Sequence, residues 1–297
     1  MMINKLTKLL PPLMVTVLTF ASTACSPVKV LNSLIPTNGH EIKRDLQYGT
    51  HARQQLDIYI PSHSTQNALP VVVFFYGGSW DSGNKEDYLF AAEAFASRGY
   101  VTVIPNYRVY PEVKFPAVMQ DPASAAKWIK MHIAEYGGDP NNIFMVGHSA
   151  GAHLITMLAL NKNYFSQVAL TPNDFSGYVG LAGPYDFLPL KSARLKEIFG
   201  PEESQWESQP IRFVDGSNPN LQLLVGLKDS VVWPRNTFNL AEVIRQHHGK
   251  VEVVEFAHYG HIDMIAKLAK PLRGNSRLLD AVDAFLKLNV VHDDSPD

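Results

Sequence analysis

Apolar residues recur along this chain in two alternating rhythms. Gln54 to Ile60 sets Leu56, Ile58 and Ile60 against polar neighbours, the period of a half-buried strand stopped by Pro61. Val71 to Phe75 is an unbroken β-branched and aromatic run, which suits a strand covered on both faces. Tyr100 to Ile104 and Ile143 to Val146 repeat that pattern, and Tyr178 to Ala182, Leu221 to Val225 and Val251 to Phe256 are three further apolar strands. Helical patterns lie between them. Asp87 to Arg98 is amphipathic and closed by Gly99; Pro116 to Tyr136 carries Ala125, Trp128, Ile129 and Ile133 at helical spacing. Ala150 to Leu160, Arg235 to His247 and Arg277 to Leu288 are helices as well. Such alternation predicts an α/β fold: a mostly parallel central sheet, helices on both faces, right-handed crossovers. The irregular stretch from Pro184 to Asn218 predicts a short cap insertion over one end of the sheet.

The first 39 residues follow a different logic. Met1 to Leu10 carries Lys5 and Lys8 and no acid, Leu13 to Ala21 is apolar, and Ser22-Thr23-Ala24-Cys25 follows. A basic start, an apolar run too short to span a bilayer and small residues before a cut site describe an export signal over residues 1–24. Residues 25–39 read as a tether, and residues 40–297 as the folded domain. The lone cysteine falls where bacterial lipoprotein signals place the lipidated residue, although Ser22 stands where that pattern usually has Leu. This resemblance implies a membrane anchor on Cys25. Cleavage after Ala24 by the ordinary signal peptidase also fits, and would give a soluble periplasmic or secreted protein.

Composition narrows the function classes. Of 297 residues 46% are hydrophobic and 18% charged, and the net charge is −2 with no basic run, so nucleic acid is not an expected partner. One cysteine excludes an intrachain disulfide and any zinc or iron–sulfur site built from several cysteines. No His-Glu-x-x-His spacing occurs, so no metal is expected.

The chemistry concentrates in Gly147-His148-Ser149-Ala150-Gly151, directly after one buried strand and directly before a helix. Glycines on either side allow a sharp turn that lifts a serine hydroxyl out of the sheet edge. A hydroxyl attacks only once a base takes its proton, and that base needs an orienting carboxylate. Asp229 follows the strand Leu221 to Val225, and His261 follows the strand Val251 to Phe256. The order Ser149, Asp229, His261 is the one this turn requires. His258 is the alternative base and Asp186 the alternative acid, the latter better suited to holding the base of the cap. Asp263 lies too near His261 along the chain to orient it. His148 and His153 are expected to pack inside, and His247 and His248 to end a helix, where imidazole suits the dipole.

Tyr76-Gly77-Gly78-Ser79-Trp80 follows the strand Val71 to Phe75. With the serine turn, the Ser-Asp-His order, Pro105-Asn106-Tyr107-Arg108, Phe115-Pro116-Ala117 with Asp121, and Gly138-Asp139-Pro140, it resembles the α/β-hydrolase superfamily. The branch it is most similar to holds carboxylesterases akin to hormone-sensitive lipase, feruloyl and acetylxylan esterases, and arylformamidases. The resemblance covers about Leu56 to Leu288. It implies an ester hydrolase without a cofactor, acting on a small-molecule ester, with Gly77, Gly78 and Ala150 donating N–H groups to an oxyanion. Those families carry His where this chain has Tyr76. The resemblance also admits amide or formamide hydrolysis on the same three residues, and a non-catalytic binding lipoprotein is the alternative of another class. Trp80 is an expected pocket wall; Phe199, Trp206 and Phe213 are candidates for the pocket or the core.

Overall fold

The computed structural model describes residues 27–62 and 68–291. Helix α1 (Pro27–Ser33) leads into strands β1 (His40–Gln47), β2 (Gln55–Pro61) and β3 (Leu69–Phe75). Then come α2 (Leu89–Ala96), β4 (Val101–Pro105), α3 (Gln120–His132), β5 (Gly138–His148), α4 (Ala150–Leu160), α5 (Lys162–Ser166) and β6 (Gly177–Leu181). The last third holds α6 (Ala193–Phe199), β7 (Leu221–Gly226), α7 (Arg235–Gln246), β8 (Val251–Phe256), α8 (Asp263–Ala266) and α9 (Arg277–Leu288).

The eight strands form one sheet in the order β1-β2-β4-β3-β5-β6-β7-β8. Strand β1 pairs antiparallel with β2, and β2 antiparallel with β4; every other pair is parallel. The unbroken apolar runs are the central strands, and Val71 to Phe75 and Ile143 to Val146 are fully buried there. This is the α/β-hydrolase fold. Strands β3 to β8 end at a common edge, and the loops that leave their carboxyl ends converge there, where open α/β sheets build their sites.

Three features depart from the hydrophobic pattern. Strand β1 is unannounced because Ile42 and Leu46 are its only aliphatic residues, and a bulge between Lys43 and Leu46 breaks its alternation. Gly137-Gly138-Asp139-Pro140 reads as a turn in the sequence; of it only Gly137, at φ 76°, reverses the chain, and Gly138 to Pro140 already belong to β5. The stretch expected as a tether is folded over much of its described length. Asn32 of α1 donates to the carbonyls of Glu86 (3.1 Å) and Asp87 (3.0 Å), and Ile35 is buried. Residues 1–24 and Cys25 lie outside the described residues. Among the described residues, no helix is long and apolar enough to cross a membrane.

Between β6 and β7, α6 and two 3-10 turns, Glu202–Ser208 and Pro210–Phe213, lie within the stretch expected as a cap. Tyr185 and Asp186 at its base donate their backbone N–H groups to Asn236 Oδ1 on α7, at 3.0 and 2.9 Å.

Candidate active site

Strand β5 ends at His148 and helix α4 begins at Ala150, so Ser149 alone makes the turn, at φ 54° and ψ −120°. A non-glycine residue held there costs on the order of 1–3 kcal/mol, which the surroundings must offset. The glycines show how. A Cβ on Gly151 would stand 2.0 Å from the Phe75 carbonyl oxygen, and one on Gly147 2.5 Å from the Gly151 backbone. Strand, turn and helix are thus packed backbone to backbone, and the Ser149 N–H is fixed on the Leu181 carbonyl at 2.9 Å.

The structure brings Ser149, Asp229 and His261 together. Ser149 Oγ lies 2.9 Å from His261 Nε2, and His261 Nδ1 lies 2.8 Å from Asp229 Oδ2. A carboxylate only accepts, so Nδ1 carries the ring proton and Nε2 is left to accept the serine proton. The other oxygen of Asp229 accepts from the N–H groups of Val231 (2.9 Å) and Val232 (2.8 Å), which locks the carboxylate in place. The alternatives stand elsewhere. His258 is exposed. Asp186 accepts from Asn239 Nδ2 at 2.6 Å, holding the cap base to α7. Asp263 accepts from the Gly260 N–H at 2.8 Å and shapes the loop that presents His261. His247 follows the last residue of α7.

The loop after β3 passes against the serine: a Cβ on Gly77 would meet the Ser149 Cβ at 3.0 Å. Gly78 takes φ 131°, and its carbonyl turns away to accept from the N–H groups of Asp81 and Ser82. Among the described residues, the amides of Gly78 and Ala150 meet no acceptor. Ser79 and Trp80 are both left-handed, at φ 51° and 59°.

Tyr76, in the place of the family histidine, anchors this loop. Its ring stacks between Tyr88 (5.1 Å) and Tyr107 (4.8 Å), and its hydroxyl donates to Asn106 Oδ1 at 2.6 Å. The same Asn106 oxygen accepts from the Lys85 N–H, and Arg53 donates to the carbonyls of Gly83 and Tyr107. The sequence around Asn106 signals this support; Arg53, from the loop before β2, does not announce itself.

Two buried histidines brace the site. Burial, and then the adjoining His261 ring, push His148 down to about 3; its Nε2 donates to the His261 carbonyl at 3.2 Å. Burial pushes His153 down to about 4. Its Nε2 donates to the Ser208 carbonyl in the cap (2.7 Å), and its Nδ1 accepts from Trp80 Nε1 (3.2 Å). Sequence reading places His153 in the core but gives no sign that it ties the glycine loop to the cap.

A cavity of about 440 Å³ opens at Ser149, walled by Trp80, Phe187, Leu190, Leu195, Val232 and Trp233. Trp80 is thus a wall. Phe199 is buried behind it, with ring centroids 4.8 Å apart, while Trp206 stacks on Phe213 with one face exposed, and neither lines the cavity. Among the described residues, no group of His, Cys, Asp and Glu is placed to hold a metal.

The BD-FAE family model matches residues 56–244. A probable isoprenylcysteine alpha-carbonyl methylesterase of Arabidopsis thaliana is 28% identical over 258 residues, 78% of this chain and 53% of that one. The chain thus spans about half the length of that relative. A kynurenine formamidase of Salmo salar is 25% identical over 231 residues, covering 75% and 76%. A truncated carbohydrate esterase from gut microbiota superposes with a TM-score of 0.74 at 20% identity, covering 86% of this chain and 98% of that one, a likeness of fold.

Proposed function

Because the chain belongs to the BD-FAE family, we propose that it is a serine hydrolase of carboxylic esters. The observation that carries this reading is the unbroken line from Ser149 Oγ through His261 to Asp229, at 2.9 and 2.8 Å, opening on an apolar cavity. His261 Nε2 takes the Ser149 proton as Oγ attacks the ester carbonyl. The N–H groups of Gly77, Gly78 and Ala150 face the oxyanion that forms. The tetrahedral intermediate collapses, the alkoxide leaves with the proton from His261, and acyl-Ser149 remains. Water, deprotonated by His261, then attacks the acyl carbon, and the acid departs as Ser149 regains its proton. Asp229 holds the ring in the required tautomer throughout. The chemistry needs no cofactor.

The substrate is a small-molecule ester with an apolar part that fits a cavity of about 440 Å³. The likeness to a kynurenine formamidase favours one second reading, hydrolysis of an aryl formamide by the same residues. The alternative of a non-catalytic binding lipoprotein is disfavoured by the intact line of three residues. The start of the chain supports export with a lipid anchor on Cys25.

The test is a panel of nitrophenyl esters of increasing acyl length beside an N-formyl arylamine, run on native protein and on Ser149→Ala. A fluorophosphonate probe labels the nucleophile independently. Ester turnover lost in Ser149→Ala, with labelling lost too, is the expected result. A Ser149→Ala protein with undiminished turnover ends the proposal, and preference for the formamide selects the second reading.

A further inference from the structure

Exposed apolar side chains stand around the active-site mouth and recur past His261 as far as α1. Leu227, Val231 and Trp233 stand out on the chain between β7 and α7, Ile262 follows His261, and Val30 and Leu34 project from the region of α1. Val231, Ile262 and Leu34 are 70%, 69% and 62% exposed. Topology gathers them. The loops after β7 and β8 leave the carboxyl edge of the sheet, and α1 is bonded through Asn32 to the turn that follows β3 at the same edge. Met131, Leu288 and Val291, also exposed, lie near the carboxyl ends of α3 and α9, at the opposite end of the molecule.

Two depressions flank His261 on this face. One is the cavity at Ser149. The other is a groove of about 570 Å³ between α1, the turn Lys85–Tyr88 and α8, with Leu31, Tyr88 and Ile265 in its walls and Ile262 at its rim. Pro27, where the described chain begins, lines this groove. Lys29, Lys228 and Arg235 are exposed among these apolar residues, with Asp87 on the groove wall. Apolar residues interspersed with cations are the composition of a surface that rests on phospholipid headgroups.

We propose that this face, from α1 past His261 to the loop before α7, lies on a phospholipid bilayer, and that the substrate is the ester of an amphiphile drawn from it. The substrate half of this proposal rests on the ester-hydrolase reading above; the surface half does not. An apolar acyl or alcohol part then passes from the bilayer into the cavity between Val231 and Trp233 without crossing water.

The experiment uses exported protein carrying Cys25→Ser, so that no anchor contributes, and a second form with Val30→Ser, Leu34→Ser and Leu272→Ser added, Leu272 being a half-exposed residue in the wall of the groove. Flotation with vesicles of phosphatidylethanolamine and phosphatidylglycerol measures binding, and bromine-labelled lipid reports on Trp233 by quenching, with Trp233→Phe identifying its signal. The expected result is vesicle binding with Trp233 quenched, weakened about tenfold or more by the three serines, while hydrolysis of a water-soluble short-chain ester stays within about twofold. The Cys25→Ser protein should also hydrolyse a long-chain ester faster in vesicles than the triple-serine form does. Failure of the Cys25→Ser protein to bind vesicles while it cleaves the soluble ester normally overturns the proposal and leaves the ester-hydrolase reading intact. A dimer in solution that the three serines dissociate assigns the face to a second copy and overturns it as well. Vesicle binding by a protein that cleaves no ester in either form supports the surface and refutes the hydrolase reading.

Discussion

Replacement of His153 by Phe gives a stability change whose dependence on pH follows from the structure. Phe keeps an aromatic ring among Trp80, Phe187 and Phe199 but removes both hydrogen bonds, leaving Trp80 Nε1 and the Ser208 carbonyl without partners. Each buried group so orphaned costs about 1–3 kcal/mol, so the variant melts well below the native protein at pH 8. Acid narrows that gap. The folded imidazole titrates at about 4 and the unfolded one at its ordinary 6.5. As pH falls below 6.5, the unfolded chain takes a proton that the folded one refuses, so this contribution to stability is complete above 6.5 and is lost towards 4. At pH 4.5 the loss is about 2–3 kcal/mol for His153 alone. The variant has no such group and escapes it. His148 and the carboxylates weaken both proteins alike and cancel in the difference. In a chain of this size about 1 kcal/mol moves the melting temperature by roughly 2 °C. Calorimetry of both proteins should therefore show the gap in melting temperature closing by about 5 °C between pH 8 and pH 4.5. A gap that stays constant, or widens in acid, refutes a neutral His153 held between the glycine loop and the cap.

Other changes test other parts of the site. Asp229→Asn should fold normally, as judged by circular dichroism, yet lose up to about four orders of magnitude in kcat, because an amide favours the wrong imidazole tautomer. Asp186→Asn should leave kcat nearly unchanged and lower the melting temperature, since its partner is Asn239; the reverse ranking would move the acid. Gly151→Ala places a methyl 2.0 Å from the Phe75 carbonyl oxygen, so it should abolish activity even where soluble protein is recovered; full activity would show that the turn is not packed backbone to backbone. Tyr76→Phe removes the donor to Asn106 but keeps both stacks, and should lower kcat more than it raises KM if the loop it anchors carries the oxyanion donors.

Much of this site is legible in the sequence because backbone geometry writes itself into residue choice. Gly147 and Gly151 are there because no side chain fits, and strand-then-helix around Ser149 fixes where the hydroxyl emerges. Asp229 and His261 are found by chain order and by their places just after strands. The supports are silent by comparison. Nothing local marks Arg53 or His153, since each works through partners 30 to 55 residues away in the chain, Gly83 and Ser208. Strand β1 is hidden for a different reason: at the sheet edge it buries little, and charged residues take up half of it. The stretch of the cap shows as irregular sequence, but its elements do not, because its turns are short, and Trp206, a pocket aromatic by type, spends its ring on Phe213 at the surface.

The three residues of the site hang from strands of unequal security. Ser149 is rooted in β5 at the centre of the sheet and Asp229 in β7, but His261 follows β8, an edge strand, whose Glu252 and Glu255 face solvent. An edge strand with one neighbour opens at a smaller free energy than the core it borders. Fraying of β8 alone would carry the imidazole away from an otherwise intact serine turn. Heat would then silence the protein below the temperature at which its circular dichroism changes, and cooling would bring the activity back, so that the working range is set by the weakest border of the sheet and not by its core.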